Sequence, residues 1–298
     1  MKKNLYTLIM HSRIYLFEVI AAGILWGIIS IFLKPLNSAG LSPMQILFVR
    51  GAFSSVIMLI FLCMKNRDLL KFRLKDIWMF FGTGVISLTF FSLCYFRTII
   101  ETGASIAVIL LYTSPIFVLF FSYIFFHEKF TRLKVIALIM TFTGCILVSG
   151  LMTGSGEITP AGFIIGLGAG LGYALYSVFS RLALRKYHPL TITFYTFLLS
   201  ACSIAPFCNL PYVCSVINLN LLPVILGISL LCAVLPYIFY THGMTGLETG
   251  NAAIFVTVEP LVGTLTGICL WGEPVSVCKI LGIALIFAAV IMLGLKRS

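Results

Sequence analysis

The sequence contains ten apolar stretches, each close to the length that an α-helix needs to cross a lipid bilayer. A bilayer core about 30 Å thick is crossed by about 20 residues at about 1.5 Å rise per residue. Windows of this size predict spans at residues 14–33, 44–64, 77–96, 103–126, 133–152, 161–180, 190–209, 221–241, 249–271 and 277–295. The connections are short and contain turn residues such as Lys34-Pro35 and His188-Pro189. We therefore predict an all-α polytopic membrane protein with ten transmembrane helices.

Composition excludes several classes of protein. Of the 298 residues, 60% are hydrophobic and 10% are charged, whereas soluble domains average about 45–50% and about 25%. A soluble fold must leave much of its surface facing water, so a water-soluble enzyme, a nucleic-acid binder and a disordered linker are excluded. The nine cysteines and four histidines show no metal-binding spacing, and there is no Walker loop. We expect no metal, no cofactor and no nucleic-acid partner.

The positive charges predict the orientation of the chain, because cytoplasmic loops of membrane proteins accumulate Lys and Arg. If the amino terminus lies inside, only Lys34, Arg97 and Lys279 fall in outer segments, and Arg50 falls within a span. The sixteen remaining basic residues are Lys2, Lys3, Arg13, Lys65, Arg67, Lys71, Arg73, Lys75, Lys129, Arg132, Lys134, Arg181, Arg185, Lys186, Lys296 and Arg297. This distribution predicts a multi-pass protein with both termini in the cytoplasm, and the short loops suit the inner membrane or plasma membrane.

The sequence also repeats itself. The matching segments are Trp26-Gly27 with Tyr173-Ala174, Gly82 to Tyr95 with Gly227 to Tyr240, Glu101-Thr102-Gly103 with Glu248-Thr249-Gly250, Thr113-Ser114-Pro115 with Val258-Glu259-Pro260, and His127-Glu128-Lys129 with Gly272-Glu273-Pro274. We predict a first repeat at residues 1–153 and a second at 154–298. Each repeat has five spans, and five is odd, so the second must cross the membrane inverted. Inverted repeats are typical of transporters with a site near the membrane centre.

Each repeat ends its fourth span with a proline followed thirteen residues later by a glutamate, at Pro115 and Glu128 and at Pro260 and Glu273. In this pattern and in its two five-span repeats the chain resembles the EamA-type transporters of the drug/metabolite transporter (DMT) superfamily. The resemblance implies a ten-span carrier of small metabolites, with members that export amino acids or other metabolites and relatives that carry sugars or nucleotide sugars. It implies a central cavity lined by the first, third, fourth, sixth, eighth and ninth spans. We expect the two glutamates to be structural, each near the amino terminus of the next helix, where the helix dipole favours a carboxylate.

Two charged residues, Glu259 and Arg50, lie deep inside predicted spans rather than near a span end. A charge at this depth costs about 2.5–3.5 kcal/mol on insertion scales, so it normally faces a cavity or a partner. Glu259 is interpreted as a counter-charge for a substrate amine, a proton-coupling site, or a polar group bonded to a carbonyl that Pro260 leaves free. Arg50 attracts an anionic group, pairs with a carboxylate in the bundle, or extends to the outer headgroups. Glu18 lies near the cytoplasmic end of the first span, where it reaches water.

Aromatic and hydroxyl side chains suit a partly apolar ligand, because they combine stacking surface with a hydrogen bond. The candidate substrate-binding residues are Trp26, Arg50, Tyr112, Thr113, Tyr173, Tyr176, Tyr237 and Glu259. Tyr95 and Tyr240 lie near span ends and are expected in the interfacial aromatic belts. Pro115 and Pro260 are expected to break their helices, as hinges or as plain kinks. The small residues Gly23/Gly27, Gly166/Gly170, Gly168/Gly172 and Gly263/Gly267 are expected at close helix contacts.

These features predict a secondary transporter that moves a small polar or amphipathic, amino-acid-like metabolite by alternating access. Efflux follows from the resemblance alone, and either proton antiport or facilitated exchange drives it. The partners are then a small-molecule substrate, the lipid bilayer and, with antiport, protons. The alternatives are a lipid flippase or a non-transporting membrane scaffold. An intramembrane enzyme would need paired catalytic groups at depth, whereas both aspartates, Asp68 and Asp76, fall in one cytoplasmic loop.

Overall fold

The computed structural model describes residues 2–150 and 159–295, with side chains from residue 13 onward. Within these ranges all regular structure is helical. The predicted repeat boundary at residues 153 and 154 lies outside the described residues. The side chains of Lys2, Lys3, Lys296 and Arg297, which contribute to the predicted orientation, lie outside them as well.

The first half contains eight helical segments that form five spans. They are α1 (Lys2–Gly27), α2 (Ser30–Ser38), α3 (Pro43–Lys65), α4 (Ile77–Phe81), α5 (Phe90–Thr102), α6 (Ala104–Leu111), α7 (Ser114–Phe126) and α8 (Arg132–Val148). A π-helical segment, Gly82–Thr89, joins α4 to α5. Short 3₁₀ turns at Arg67–Leu70 and Leu74–Asp76 connect the second span to the third.

The second half repeats this order. Its helices are α9 (Pro160–Ala183), α10 (Pro189–Ile204), α11 (Leu210–Val216), α12 (Leu222–Ser229), α13 (Leu235–Gly246), α14 (Thr249–Phe255), α15 (Val258–Trp271) and α16 (Val277–Leu295). A π-helical segment, Leu230–Val234, joins α12 to α13 at the position that corresponds to the π segment of the first half. A 3₁₀ turn, Ala205–Phe207, follows α10.

Nine helical stretches within the described residues are long and apolar enough to cross a membrane. The remaining predicted span, 133–152, is the fifth along the chain and corresponds to α8, whose 17 residues end at Val148. Large apolar side chains such as Ile60, Phe120 and Phe287 are exposed along these helices, as expected of surfaces that contact lipid. The predicted all-α polytopic membrane fold is confirmed.

The bundle has two faces. At the terminal face, Leu16 of α1 lies near Gly294 of α16, and Arg185, just after α9, lies over the Phe126 ring at 5.6 Å. At the distal face, Lys34 of α2 lies over the Trp271 ring at 4.0 Å. Helix α1 therefore starts at the terminal face, whereas its counterpart α9 ends there. The two five-helix repeats are inverted, as predicted.

The two halves interlock through small residues. Helix α1 packs on α13 and α15, and its counterpart α9 packs on α5, α6 and α7. A Cβ added to Gly27 of α1 would lie 2.8 Å from the Glu259 carbonyl oxygen, and one added to Gly170 of α9 would lie 2.7 Å from the Leu110 carbonyl oxygen. Gly267 instead faces the Glu273 side chain, and a Cβ added to Gly267 would lie 2.7 Å from Glu273 Cδ. The close helix contacts thus form where each half covers the other's fourth span.

Helices α8 and α16 provide a test of this packing away from the cavity. A Cβ added to Gly144 would lie 2.6 Å from Ile286 Cγ1 and 2.9 Å from the Gly282 carbonyl oxygen. We expect Gly144→Ala to destabilise the protein by about 1–3 kcal/mol through overpacking, measured as a lower Tm in detergent. Gly263→Ala is the matched control, because the nearest atom to its Cβ is 3.7 Å away. Equal Tm changes in the two variants would contradict this packing.

Candidate substrate cavity

A cavity of about 410 Å³ runs from the distal face into the centre of the bundle. Its mouth is lined by the exposed residues Lys34, Asn37 and Pro43, and its inner end by Trp26 and Glu259. The walls come from α1 to α3, α5, α6, α9, α12, α13 and α15. These helices belong to all six spans that the resemblance implies as the lining of the cavity. Helix α3 adds the second span to this lining.

The cavity contains both of the charged residues predicted deep inside spans, Arg50 and Glu259. The Glu259 carboxylate accepts a hydrogen bond from the Tyr173 hydroxyl at 3.1 Å. Arg50 lines the same cavity from α3, and its guanidinium forms no ion pair within 4 Å with any described carboxylate. The two opposite charges therefore share one cavity without neutralising each other directly.

The local sequence explains how Glu259 reaches the cavity. The ninth span is interrupted at Val256 and Thr257, and α15 restarts at Val258, so Glu259 lies in the first turn of α15. This position favours a carboxylate because the helix dipole is positive there. In the fourth span the equivalent interruption lies at Tyr112 and Thr113, just before Pro115. Both prolines thus follow a break near the middle of a span.

A layer of aromatic rings closes the inner end of the cavity. This aromatic layer consists of Trp26, Tyr173, Tyr176, Tyr237 and Tyr240. The Trp26 ring meets the Tyr237 ring edge-to-face, with 5.2 Å between centroids, and Tyr176 meets Tyr237 in the same way at 4.9 Å. Edge-to-face pairs at such distances add to the energy of burial. The layer separates the cavity from the terminal face.

Polar contacts seal the region between the aromatic layer and the terminal face. The Tyr176 hydroxyl lies 2.7 Å from Thr241 Oγ1, and Ser177 Oγ lies 2.8 Å from the Tyr240 hydroxyl. Both bonds join α9 to α13. Closer to the terminal face, Arg181 donates to the Met244 carbonyl oxygen. The protein is therefore open at its distal face and closed at its terminal face.

The structure brings most of the predicted site residues together. Trp26, Arg50, Tyr173, Tyr237 and Glu259 line the cavity, and Tyr176 belongs to the aromatic layer. Two other predicted residues lie elsewhere.

Tyr112 is buried behind Glu259, in a small space that it shares with Pro115. Thr113 is buried away from the cavity, and its hydroxyl donates to the Leu110 carbonyl oxygen at 2.6 Å. A substrate-binding role for Thr113 therefore stays a prediction without support from its position.

Three sequence interpretations are corrected by these contacts. Tyr240 is 3% exposed and belongs to the aromatic layer, and Tyr95 lines the cavity, so neither is explained by an interfacial belt. Glu18 does not simply reach water, because its carboxylate contacts His242 Nδ1 at 2.7 Å. Glu128 does not cap α8, which Thr131 caps. Its carboxylate instead accepts from the backbone N–H groups of Thr249 and Gly250, in the other repeat.

Sequence reasoning missed several cavity residues, including Lys34, Asn37 and Phe91. The internal repeat contained a signal that could have found Lys34. Lys34 lies eight residues after Trp26, just as Arg181 lies eight residues after Tyr173, the repeat counterpart of Trp26.

Among the described residues, no group of three or more His, Cys, Asp or Glu side chains is arranged to hold a metal ion.

A bundle of two inverted five-span repeats, with a central cavity open to one face, defines a membrane transporter. The model described as the EamA-like transporter family matches residues 13–150 and again residues 160–295. The chain belongs to the EamA-like transporter family.

Relatives of known sequence support the same class. A protein of Archaeoglobus fulgidus named "uncharacterized transporter" is 26% identical over 274 residues, which cover 92% of this chain and 94% of that protein. The "uncharacterized transporter YxxF" of Bacillus subtilis is 23% identical over 285 residues, which cover 94% of this chain and 89% of that protein. A crystal structure with a TM-score of 0.80 and 16% identity covers 95% of this chain and 97% of that chain, which shows a shared fold.

The contact between Tyr176 and Thr241 allows a test of the seal. We expect Tyr176→Phe and Thr241→Val each to destabilise the protein by about 1–3 kcal/mol, because each leaves a buried hydroxyl without its partner. The double variant should lose clearly less than the sum of the two single changes. Thermal unfolding in detergent measures all three. Additive losses would show that the two hydroxyls do not interact.

Proposed function

We propose that this protein exports a small zwitterionic, amino-acid-like metabolite by alternating access. The observation that carries the proposal is the presence of Arg50 and Glu259, unpaired with each other, in one central cavity. A zwitterion can place its carboxylate at Arg50 and its ammonium group at Glu259. It would then satisfy two charges that are costly at membrane depth.

The geometry of the cavity supports this substrate class. Arg offers a planar fork of donors that matches a carboxylate, and the Tyr173 hydroxyl holds the Glu259 carboxylate in place at 3.1 Å. Trp26 and Tyr237 supply ring surface beside both charges. A side chain with some apolar area can pack there, so the cavity favours amphipathic amino acids over sugars, which carry no charge for Arg50 or Glu259.

Alternating access is supported by the internal repeat. The sealed residues Arg181, Tyr240 and Met244 have Lys34, Tyr95 and Ile99 as repeat counterparts, and these counterparts line the open cavity. One set of corresponding positions is therefore open while the other is closed. Exchanging the two arrangements between the repeats would close the distal face and open the terminal face.

The orientation and direction are part of the proposal. The excess of basic residues supports an orientation with the terminal face, and with it both termini, in the cytoplasm. The distal cavity then faces the exterior, which is the arrangement from which an exported substrate leaves. Either proton exchange at Glu259 or simple facilitated exchange would complete the cycle. The membrane is the inner membrane or plasma membrane.

Substitution of the two cavity charges tests the substrate class. We expect leucine, phenylalanine or a similar neutral amino acid to raise the Tm of the purified protein, because a ligand that binds the folded state stabilises it. Glu259→Gln and Arg50→Gln should each weaken this binding about tenfold or more. Asp68→Asn, in an exposed loop, is the control and should bind like the unmodified protein.

Counterflow in proteoliposomes then measures transport by the same variants. A stimulation by an imposed pH gradient that disappears in Glu259→Gln would support proton coupling, and transport that is indifferent to the gradient would favour facilitated exchange. Binding and transport of amino acids that are unchanged in both cavity variants would contradict the proposed site.

Reporter fusions test the proposed orientation. A fusion after Phe72, in the connection between the second and third spans, and a fusion after Ser298 should both report a cytoplasmic position. Alkaline phosphatase and fluorescent-protein reporters provide opposite readouts at each position. Reporters on opposite sides of the membrane at residues 72 and 298 would contradict both the orientation and the even number of spans.

A further inference from the structure

The two halves carry the same polar set at corresponding positions but use it differently. Glu101-Thr102-Gly103 in the first repeat corresponds to Glu248-Thr249-Gly250 in the second. Glu128 corresponds to Glu273, and six residues later Lys134 corresponds to Lys279. Inverted symmetry places one complete set at each face. Each set joins the two repeats, because its Glu and Lys come from one repeat and its Glu-Thr-Gly segment from the other.

At the closed terminal face the set is fully engaged. The Glu128 carboxylate accepts hydrogen bonds from Thr249 N at 2.6 Å and Gly250 N at 3.0 Å. Lys134 Nζ lies 2.8 Å from a Glu248 carboxylate oxygen and 3.9 Å from Glu128. The side chains of Glu128 and Lys134 are only 8% and 5% exposed. We term these contacts the terminal latch; they hold the junction of α13 and α14 against the end of α7.

At the open distal face the corresponding contacts are apart. Glu273 pairs with Lys279 of its own repeat at 3.0 Å, and its side chain is 48% exposed. Glu101 pairs with Arg97 at 2.6 Å instead of with Lys279. No described side chain accepts a hydrogen bond from the start of α6. Gly103 is exposed there, whereas its counterpart Gly250 is buried; Thr102 and its counterpart Thr249 are both buried.

The backbone differs at the same place. After α13 the chain is extended at Leu247 and Glu248, which leaves the Thr249 and Gly250 N–H groups for Glu128. In the first repeat α5 continues to Thr102, and the Gly103 N–H donates to the Ile99 carbonyl oxygen at 2.9 Å. Gly103 then turns the chain with φ 88 and ψ 163, a conformation that is essentially restricted to glycine.

We propose that Glu128 and Glu273 are the carboxylates of two alternating latches, which rests on the alternating-access function proposed above. When the distal cavity closes, the last turn of α5 unwinds, and Glu273 accepts from the Thr102 and Gly103 N–H groups while Lys279 pairs with Glu101. Glu128 and Lys134 then release Glu248, Thr249 and Gly250, and the terminal face opens.

The position of the distal set explains why its closure would shut the cavity. Glu273 follows α15, whose Trp271 is fixed to α2 through the Lys34 contact and through a bond from Trp271 Nε1 to Ser30 Oγ at 3.3 Å. Thr102 and Gly103 follow α5, which forms the other side of the mouth through Phe96 and Ile99. A bond from Glu273 to this segment would draw the two sides together.

Two cysteine reporters measure which face is open. Ile99→Cys lies in the distal cavity wall, and Met244→Cys is its repeat counterpart, fully buried behind the terminal seal. The full-length protein in lipid nanodiscs exposes both faces to a charged methanethiosulfonate reagent. Peptide mass spectrometry resolves each labelled site, so the nine native cysteines stay in place. Size-exclusion profiles show whether each variant is folded.

Substitution of the latch carboxylates should shift the reporters in opposite directions. Glu128→Gln should raise the labelling rate of Met244→Cys about tenfold and lower that of Ile99→Cys, because charge-assisted hydrogen bonds that favour the present state are lost. Glu273→Gln should lower the labelling rate of Met244→Cys, because the alternative state loses its latch. A misfolded variant would raise both rates, so the lower rate in Glu273→Gln cannot come from unfolding.

Gly103→Ala provides a variant that touches neither carboxylate. A Cβ at Gly103 meets no atom within 4 Å, so only the backbone conformation opposes alanine. The counterpart Gly250 is helical within α14, a conformation that alanine adopts readily. Gly103→Ala should therefore raise Met244→Cys labelling, as Glu128→Gln does.

The outcomes separate the latches from the transport cycle. If the unmodified protein labels at both reporters and neither glutamate variant changes the ratio of the two rates, or both shift it in the same direction, the latch proposal is overturned and alternating access stands. If Met244→Cys stays protected in every variant and with every amino acid added, both proposals are overturned.

Discussion

The hydrocarbon core of the membrane leaves no water for backbone polar groups, and the rest of this structure depends on how the chain meets that constraint. The fourth and ninth spans are broken near their middle, at Tyr112–Thr113 and Val256–Thr257. The Thr113 and Thr257 hydroxyls donate to carbonyl oxygens three residues earlier, at 2.6 Å in both cases. Glycines of α1 and α9 let the opposite repeat cover these breaks closely. A broken helix at this depth is tolerated because the other half of the protein encloses it.

The same breaks generate the site. A helix that restarts in the middle of the membrane presents its positive end there, and Glu259 lies in that first turn on α15. The first repeat has Ser114 at the corresponding position, so the pseudo-symmetric frame holds an asymmetric charge. Arg50 is likewise unmatched, since its counterpart Thr196 bonds to Thr83 at 2.7 Å. The two repeats therefore share a symmetric framework, and under the proposed function the unmatched charges of Glu259 and Arg50 select the substrate.

One conformation of an inverted-repeat protein contains information about the other. Corresponding residues lie in different environments here: Ile99 lines a cavity, while Met244 is fully buried, and Glu273 is half-exposed, while Glu128 is buried. Under the proposed alternating access, the contacts that differ between the halves are the ones that form and break when the protein reverses.

The sequence by itself determined the apolar spans, their inverted arrangement and five of the residues that line the cavity, both charged residues inside spans included. The length of the apolar stretches and the odd number of spans per repeat leave the chain few possible topologies in a lipid bilayer. Charged residues deep in the membrane, such as Arg50 and Glu259, need a cavity or a partner. The hydrophobic periodicity could not decide which tyrosines face the cavity, because Tyr95, Tyr240 and Tyr112 all lie in similar apolar sequence. Only the tertiary structure placed Thr113 away from the cavity, and only it showed which helix Glu128 binds. Glu128 binds residues 121 and 122 positions further along the chain, and Thr113 packs against Gly170 of the other half. Both outcomes depend on how the two halves meet, which the local sequence does not encode.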